Sequence, residues 1–142
     1  DDEHEYNAAK LRRLIYHAFE ALKNEGICLN IATANFELKH LKEIFSYATH
    51  KPVINFVELH PYYMNQDLIK FCSRKHVLLF SNNVVINKEL LRENAVRNIA
   101  KKYSKTPQQI ILKWALQHGF GVLIETNNKN RIARNAMLHG WD

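Results

Sequence analysis

The sequence predicts an α/β fold in which parallel strands are flanked by helices. Two features support this fold class. Segments with the 3.6-residue period of an amphipathic helix alternate with short apolar runs of strand length, and the connections between them are short. The short runs are apolar at most positions rather than at every second one, which is typical of strands covered on both faces. We therefore expect about four β/α units in a single domain spanning residues 1–142.

The first two units are predicted from their periodicity and their stop signals. In AAKLRRLIYHAFEALKNEG the apolar residues recur at helical spacing before Gly26, which is typical of a helix end. These residues are Leu11, Leu14, Ile15, Ala18, Phe19 and Leu22. The run ICLNIAT is the first predicted strand. The segment FELKHLKEIFSYATH repeats the helical period, and VINFVELHP, closed by Pro61, is the second strand.

The remaining units follow the same order. NQDLIKFCSRK is a predicted helix and HVLLFS the third strand, after which KELLRENAVRNIAKKYSK is predicted as one helix or as a helix broken near its start. In TPQQIILKWALQHG, Thr106 can cap the helix, Pro107 suits its first turn and Gln109 completes a capping box. Gly119 ends this helix, GVLIE is the fourth strand, and NKNRIARNAML is the last helix.

Four β/α units are too few to close a barrel. A (β/α)8 barrel needs about 200 residues or more, so this chain forms either a small open sheet or half of a barrel. Strand side chains such as Ile31, Phe56, Leu79 and Leu123 would fill a barrel core or face a partner. Because a large exposed apolar sheet face promotes aggregation, we expect an N-terminal half, a second copy or another subunit to cover it.

Composition limits the class of protein. Apolar residues make up 46% and charged residues 24% of the chain, which indicates a globular domain, and no apolar run reaches the length of a membrane span. Cys28 and Cys72 stand far apart without metal-ligand spacing, and we expect both to be buried. Without a secretion signal, we expect an intracellular protein, cytoplasmic or mitochondrial. The net charge of +6 leaves RNA binding open, although scattered lysines usually serve solubility.

Several segments resemble the C-terminal half of the aldo-keto reductase family. IATANF, VINFVELHP, KTPQQIILKWALQ and RIARN are similar to that family's GVSNF, NQVELHP, KTPAQVLLRWALQ and RIKEN. The resemblance implies that the four units are the fifth to eighth of a barrel that binds NADP(H) across its C-terminal mouth. It also implies that the family's catalytic Asp, Tyr, Lys and His lie on segments outside this chain. No residue here inherits those roles, and His60 matches a structural position of the family.

The resemblance places cofactor contacts on the first two strands. In the SNF motif a Ser and an Asn hold the nicotinamide amide, and this chain has Ala34 and Asn35 at those positions. The Gln of NQVELHP, which the family uses beside the nicotinamide, is Phe56. The resemblance therefore implies that Asn35 alone is kept among these three contacts.

A second set of cofactor contacts follows the third strand. The Tyr of the family motif YSPL, whose ring stacks on the nicotinamide, matches Asn82. The next two positions, Ser and Pro in the family, are Asn83 and Val84. The resemblance therefore implies that both the stacking surface and the pyrophosphate loop are lost.

The segment VLIETNNKNRIARN has the strand, turn and helix order that holds phosphate groups in many α/β proteins. The family has a Lys where this chain has Glu125 and a Ser where it has Thr126, while its Arg and Asn match Arg131 and Asn135. At about 4 Å and an effective dielectric constant of about 20, one unit charge pair contributes roughly 4 kcal/mol. Reversing its sign opposes phosphate binding, although Arg134 offsets part of this.

The sequence therefore predicts a degenerate cofactor site. We expect a catalytically inactive protein with no bound cofactor, acting as a structural or regulatory subunit of a larger assembly. One alternative is an NADP(H)-dependent carbonyl reductase whose catalytic N-terminal half is missing from this chain. Another is the regulatory subunit of glutamate–cysteine ligase, a degenerate relative of the family whose LLTHNDP segment resembles LLFSNNV here.

Overall fold

The protein is an α/β half-barrel built on one four-stranded parallel sheet. The computed structural model describes residues 2–82, 84 and 88–141, with the backbone alone for residues 2 and 3. Its elements are α1 (Asp2–Asn24), β1 (Ala32–Ala34), α2 (Leu38–Tyr47), β2 (Ile54–Val57), α3 (Gln66–Lys75), β3 (Leu78–Ser81), α4 (Lys88–Arg92), α5 (Asn94–Lys102), α6 (Pro107–Gln117), β4 (Gly121–Val122) and α7 (Lys129–Ala136). The strands are parallel in the order β1-β2-β3-β4, which confirms the predicted fold class.

Both edge strands are shorter than predicted, and one predicted helical segment is divided. The first strand contains only Ala32–Ala34 and the fourth only Gly121–Val122. Both are edge strands of the sheet, so each has a hydrogen-bonding neighbour on one side alone. KELLRENAVRNIAKKYSK has the break near its start that the sequence left open: Glu93 (φ −54°, ψ 133°) divides the segment into α4 and α5. The Tyr62 hydroxyl donates to Glu93 Oε1 at 2.5 Å, which ties this break to the loop after β2.

The two faces of the sheet have different environments. The register pairs Ala34 with Phe56, Phe56 with Phe80 and Phe80 with Gly121, so these residues lie on one face. We call this side the open face; it consists of Ala32, Ala34, Ile54, Phe56, Leu78, Phe80, Gly121 and Leu123. Alternate residues, Thr33, Asn55, Val57, Leu79 and Ser81, are buried beneath the helices. Helices therefore cover one face alone in the described part of the chain.

This arrangement separates the four residues predicted to fill a barrel core or face a partner. Phe56 and Leu123 lie on the open face, and Leu123 is 54% exposed. The same expectation is wrong for Ile31 and Leu79, each 5% exposed, because their side chains pack on the helix side. Ile31 belongs to a small core with Tyr16 and Ile44, while Leu79 belongs to the main core.

Buried polar side chains fix the loops at the C-terminal edge of the sheet. Asn55 is fully buried; its Oδ1 accepts a hydrogen bond from the Thr33 hydroxyl at 2.9 Å, and its Nδ2 donates to the Phe36 carbonyl at 2.8 Å. The Ser81 hydroxyl donates to the Leu59 carbonyl at 2.6 Å. Because these groups are away from water, losing a partner would leave an unpaired dipole. They therefore hold in place the loops where a ligand site would form.

The two cysteines have different surroundings. Cys72 is 1% exposed in the main core, as predicted. The prediction that Cys28 is also buried is wrong: it is only partly buried, because it lies in the connection between α1 and β1 rather than in a strand. Across the described residues, no helix is long and apolar enough to cross a membrane, and no group of three or more His, Cys, Asp or Glu side chains could hold a metal ion.

Candidate functional site

A cavity of about 510 Å³ lies at the C-terminal edge of β3 and β4. This edge of a parallel α/β sheet is where ligands bind in barrel and open-sheet enzymes. Its described lining residues are Asn82, Val84, Lys88, Leu91, Gln108, Leu123, Ile124, Glu125, Thr126 and Arg131. The cavity is thus lined by five of the positions that the resemblance assigned to cofactor contacts: Asn82, Val84, Glu125, Thr126 and Arg131. We call it the rim cavity.

Asn82 is positioned by its backbone. Its N–H donates to the Val57 carbonyl at 3.1 Å, which continues the ladder between β2 and β3 by one residue. The side-chain Oδ1 is inaccessible to water and has no hydrogen-bond partner among the described residues. An amide here offers no aromatic surface on which a flat ring could stack. Its neighbour Asn83 lies outside the described residues, while Val84 is fully buried in the main core.

The turn into α7 satisfies its own backbone groups. Asn128 caps the helix, because its Oδ1 accepts from the Arg131 N–H at 3.1 Å. The Thr126 hydroxyl oxygen accepts from the Asn128 N–H at 3.2 Å. Two N–H groups that could face an anion at a helix start are therefore already bonded within the turn. Glu125 is exposed and forms no ion pair among the described residues.

Arg131 and Asn135 have separate roles in the structure. Asn135 Oδ1 accepts from Gln108 Nε2 at 3.1 Å, and Gln109 Nε2 donates to the Arg134 carbonyl at 3.0 Å, so α6 holds α7. Both residues line a second cavity of about 240 Å³, together with Arg134. Asn135 thus joins two helices, while Arg131 lines both cavities.

Asn35 and Phe56 lie away from the rim cavity. Asn35 has a left-handed backbone (φ 58°), which Asn tolerates well, and its N–H donates to the Phe56 carbonyl at 2.7 Å. Its side chain lines a different cavity of about 150 Å³, together with Glu58 and Tyr63. Ala34 is exposed on the open face beside Phe56. The structure therefore does not bring Asn35 to the cavity that contains Glu125.

An aromatic pair occupies the open face next to these positions. The rings of Phe56 and Phe80 lie with centroids 5.4 Å apart at 55°. The Phe80 ring lies against Gly121, where an added Cβ would be 2.4 Å from Phe80 Cε1. Neither this contact between two rings nor the glycine beneath it was predicted from the sequence. The only available signal was Gly121 inside a predicted strand, which can mark a close approach of two chain segments.

His60 has the structural role that the resemblance implies. It is 5% exposed, its Nε2 lies 3.0 Å from Glu58 Oε1, and its Nδ1 accepts from the Tyr62 N–H at 3.2 Å. Both ring nitrogens thus have partners in the loop after β2. His60 orders this loop and does not face the rim cavity.

The rim cavity combines charges of both signs. Lys88 and Arg131 are cationic and Glu125 is anionic, while Asn82 and Gln108 offer amide donors and acceptors. Lys88 and Gln108 were missed from the sequence, because each lies on a helix distant from GVLIETNNKN along the chain. Such a lining can bind a ligand that carries both a charge and hydrogen-bonding atoms. The carboxylate of Glu125, however, repels a ligand whose charges are all negative.

Comparisons with known proteins agree with this architecture. The model of the Aldo/keto reductase family matches residues 4–138. The uncharacterized oxidoreductase YtbE of Bacillus subtilis (strain 168) is 32% identical over 127 residues, covering 89% of this chain and 45% of YtbE. Glyoxal reductase of the same organism is also 32% identical over 127 residues, covering 89% of this chain and 46% of the reductase.

Solved structures show the same relation. A Gox0644 mutant in complex with NADPH superposes with a TM-score of 0.84 at 31% identity, covering 89% of this chain and 46% of that chain. An aldo-keto reductase from a deep-sea metagenome, MGS-M4, superposes with a TM-score of 0.84 at 29% identity, covering 89% and 47%. The chain therefore spans about half the length of the relatives that it matches.

Proposed function

This chain belongs to the aldo/keto reductase family, and from that membership we propose that it is a non-catalytic member whose barrel scaffold serves as a structural or regulatory subunit of a protein assembly. The observation that carries this proposal is the chemistry at three cofactor positions. Phe56 on the open face, Asn82 at the end of β3 and Glu125 after β4 each lack the group that the family resemblance assigns there.

Each replacement removes a different kind of contact. Phe56 has no amide to bond a carboxamide, and its ring is already paired with Phe80. Asn82 removes a stacking surface, and such ring contacts contribute roughly 0.5–1.5 kcal/mol each. Glu125 places a negative charge where a phosphate would need a positive one. Two of the losses act on the nicotinamide and the third on a phosphate, so we expect the effect of Glu125 to add approximately to the combined effect of the other two.

The charge effect is smaller than the sequence alone suggested. Glu125 is exposed, and an exposed ion pair contributes only about 0.2–1 kcal/mol because water and salt screen it. Replacing attraction by repulsion therefore costs roughly 0.4–2 kcal/mol, about a two- to thirtyfold change in affinity. The reversal of charge weakens phosphate binding without abolishing it alone, so the proposal depends on all three positions together.

The test is a titration of the natural protein with NADPH, in which quenching of tryptophan fluorescence reports binding. We expect no saturable quenching at micromolar NADPH. The triple substitution Phe56→Gln, Asn82→Tyr and Glu125→Lys is expected to restore measurable binding. Glu25→Lys makes the same change of charge at the exposed end of α1 and is expected to restore none. Saturable binding of NADPH by the unmodified protein would contradict the proposal.

A regulatory or structural subunit must bind other protein subunits. We expect the protein, isolated gently from its source, to migrate within a larger assembly whose other subunits mass spectrometry can identify. Recovery of a glutamate–cysteine ligase catalytic subunit would specify the regulatory role suggested by the LLFSNNV segment. Isolation of the protein without companions at physiological salt concentration would argue against any role as a subunit.

A second candidate is an NADP(H)-dependent carbonyl reductase whose catalytic residues lie on the other half of the barrel. The names of relatives such as glyoxal reductase favour it, as does the NADPH bound in the Gox0644 complex. Asn35, Thr126 and Arg131 also retain side chains expected at cofactor positions. The NADPH titration separates the two candidates, and consumption of NADPH with a small aldehyde as the substrate would establish the second.

A further inference from the structure

The positive charge of the protein is concentrated in the last third of the chain. Residues 94–141 contain eight Lys and Arg side chains and one acidic side chain, Glu125. Residues 1–93 contain twelve basic and twelve acidic side chains, so the excess positive charge comes from the later segment. The basic residues of that segment are Arg97, Lys101, Lys102, Lys105, Lys113, Lys129, Arg131 and Arg134. Such clustering of Lys and Arg is typical of proteins that bind polyanions.

These basic residues belong to one contiguous part of the structure. They lie on α5, α6 and α7 and in the connection between α5 and α6, and α6 packs against both of the other helices. Lys113 excepted, none of these side chains forms an ion pair among the described residues. Their charge is therefore not neutralised within the described part of the protein, and an anionic partner can contact it.

Two aromatic rings lie within this basic region. The rings of Tyr103, at the end of α5, and Trp141, after α7, have centroids 5.8 Å apart at 43°. Lys105 Nζ and Lys113 Nζ each lie 5.4 Å from the Trp141 centroid, and Lys102 Nζ lies 5.2 Å from the Tyr103 centroid. All three distances are within the range of a cation–π contact. We call these five residues the aromatic–lysine patch.

The Trp141 ring is held in place from the side of the protein. Its Nε1 donates to the Met137 carbonyl at 3.3 Å, and the ring packs against the main core while staying partly exposed. Its polar atom thus has a partner, so the exposed part of the ring offers an apolar surface beside cations. A ring that is already ordered loses little conformational freedom when a flat ligand stacks on it.

We propose that the aromatic–lysine patch binds single-stranded nucleic acid, with bases stacked on Tyr103 and Trp141 and phosphates contacted by the lysines. Sites of this class combine a basic surface with aromatic side chains, because every base has a flat face and every nucleotide carries a negative charge. Lysine side chains are flexible, so their ammonium groups can move from the rings to the phosphates when a base stacks. Binding through charge and stacking is tolerant of base sequence.

Other polyanions use only part of this patch. A nucleic-acid duplex hides the faces of its bases, and an acidic protein would engage the lysines without needing the rings. An anionic membrane requires apolar side chains that project into it, whereas Tyr103 and Trp141 are partly buried among ammonium groups. The combination of rings and lysines therefore favours a single strand.

The first experiment measures binding of a fluorescently labelled oligouridine of about 20 nucleotides by anisotropy, at salt concentrations between about 50 and 200 mM. We expect the affinity of the unmodified full chain to fall steeply as salt increases. Trp141→Ala should weaken binding about tenfold at each salt concentration, while Trp141→Phe, which keeps a ring, should weaken it less than about threefold. Because stacking is not ionic, neither substitution should change the slope of log affinity against log salt concentration.

A pair of lysine substitutions tests the phosphate contacts. Lys102→Gln with Lys105→Gln should reduce the magnitude of that slope by about 1.4, the value for two contacts to a single strand. Lys70→Gln with Lys75→Gln is the matched control, because it removes the same charge from α3. Lys75 Nζ also lies near a ring, 5.8 Å from the centroid of Phe45. The control should leave the slope unchanged, and circular dichroism checks that each variant is folded.

Three results would overturn the proposal. The first is an absence of oligouridine binding at the lowest salt concentration. The second is an equal loss of slope in the control pair, or an unchanged affinity of Trp141→Ala, since charge alone would then account for binding. The third is binding to vesicles of phosphatidylserine and phosphatidylcholine, but not to oligouridine, that Trp141→Ala abolishes; it would assign the patch to a membrane surface. NADPH is not involved, so these results are independent of the proposed function.

Discussion

The contact between Gly121 and Phe80 provides a quantitative test of the packing on the open face. A Cβ at position 121 would lie 2.4 Å from Phe80 Cε1 and 2.5 Å from Cδ1 and Cζ. Ordinary contacts of a Cβ begin at 3.4 Å, so the Phe80 ring would have to move by about 1 Å or more. Because Phe80 lies between Gly121 and Phe56 in the sheet register, Gly121→Ala pushes the ring towards Phe56, with which it is paired at 5.4 Å.

The expected cost follows from the two effects of this movement. Crowding of the ring between position 121 and Phe56 costs about 1–3 kcal/mol, of which disturbance of the aromatic pair accounts for roughly 0.5–1.5 kcal/mol. In the background of Phe80→Ala the obstacle is absent, so Gly121→Ala is expected to cost close to zero. The two substitutions should therefore show a coupling energy of at least about 1 kcal/mol.

The assay is urea unfolding of the unmodified protein, the two single variants and the double variant, monitored by circular dichroism. Gly119→Ala is a matched control, because Gly119 has a positive φ of 78° and no atom lies within 4 Å of its added Cβ. Its cost of roughly 1–2 kcal/mol comes from the backbone and should not change with Phe80→Ala. If Gly121→Ala costs the same in both backgrounds, the proposed ring contact is refuted.

Three further predictions concern the Thr106 cap of α6, the Glu20 carboxyl and the Cys72 thiol. Thr106→Ala removes the cap of α6 and should cost about 1 kcal/mol in the same urea assay, whereas an unchanged midpoint would contradict the cap. Burial raises the pKa of Glu20, but hydrogen bonds from the His50 N–H and from His17 outweigh this, so the pKa lies below its ordinary value. The Glu20 carboxylate should therefore stabilise the fold fully above its unfolded pKa, and this stabilisation should be lost as pH falls through its folded pKa. We expect Glu20→Gln to lower the free energy of unfolding at neutral pH by an amount that becomes smaller in acid. A difference in free energy of unfolding between the two proteins that stays constant with pH would disprove this. Burial raises the pKa of the Cys72 thiol to about 11, so iodoacetamide at pH near 8 should react with it about a hundredfold more slowly in the folded protein than in urea.

Local signals in the sequence predicted most helices well. The start of α6 at Thr106, Pro107 and Gln109 was identified from the spacing of these residues, and the structure contains the capping box. The order of helices and strands also followed from periodicity. Such signals act between residues a few positions apart, so they can be read without knowing the fold.

The lengths of the edge strands could not be predicted in this way. ICLNIAT has strand composition throughout, yet only Ala32–Ala34 pairs with β2. Strand length depends on a hydrogen-bonding partner that is distant along the chain, and an edge strand has only one. The division of the helix at Glu93 likewise involves Tyr62, which is 31 residues away.

In the candidate site, too, some residues were predictable from local sequence signals and others depend on distant contacts. Glu125, Thr126 and Arg131 are close in sequence, and their common location was predictable from one strand, turn and helix pattern. The positions of Lys88 and Gln108 in that cavity were not predictable, because they lie on α4 and α6, which are distant from this pattern along the chain.

By itself, the sequence determined the α/β class, the family and the exchanged side chains at the cofactor positions, since composition, periodicity and motifs are carried by the chain directly. Only the tertiary structure decided which strand residues face the helices and which remain uncovered. Leu78 and Leu79 are consecutive apolar residues of β3, yet Leu79 is in the core and Leu78 is 57% exposed on the open face. When both neighbours of a residue are apolar, alternation carries no information about its side, and only the packing of distant helices assigns it.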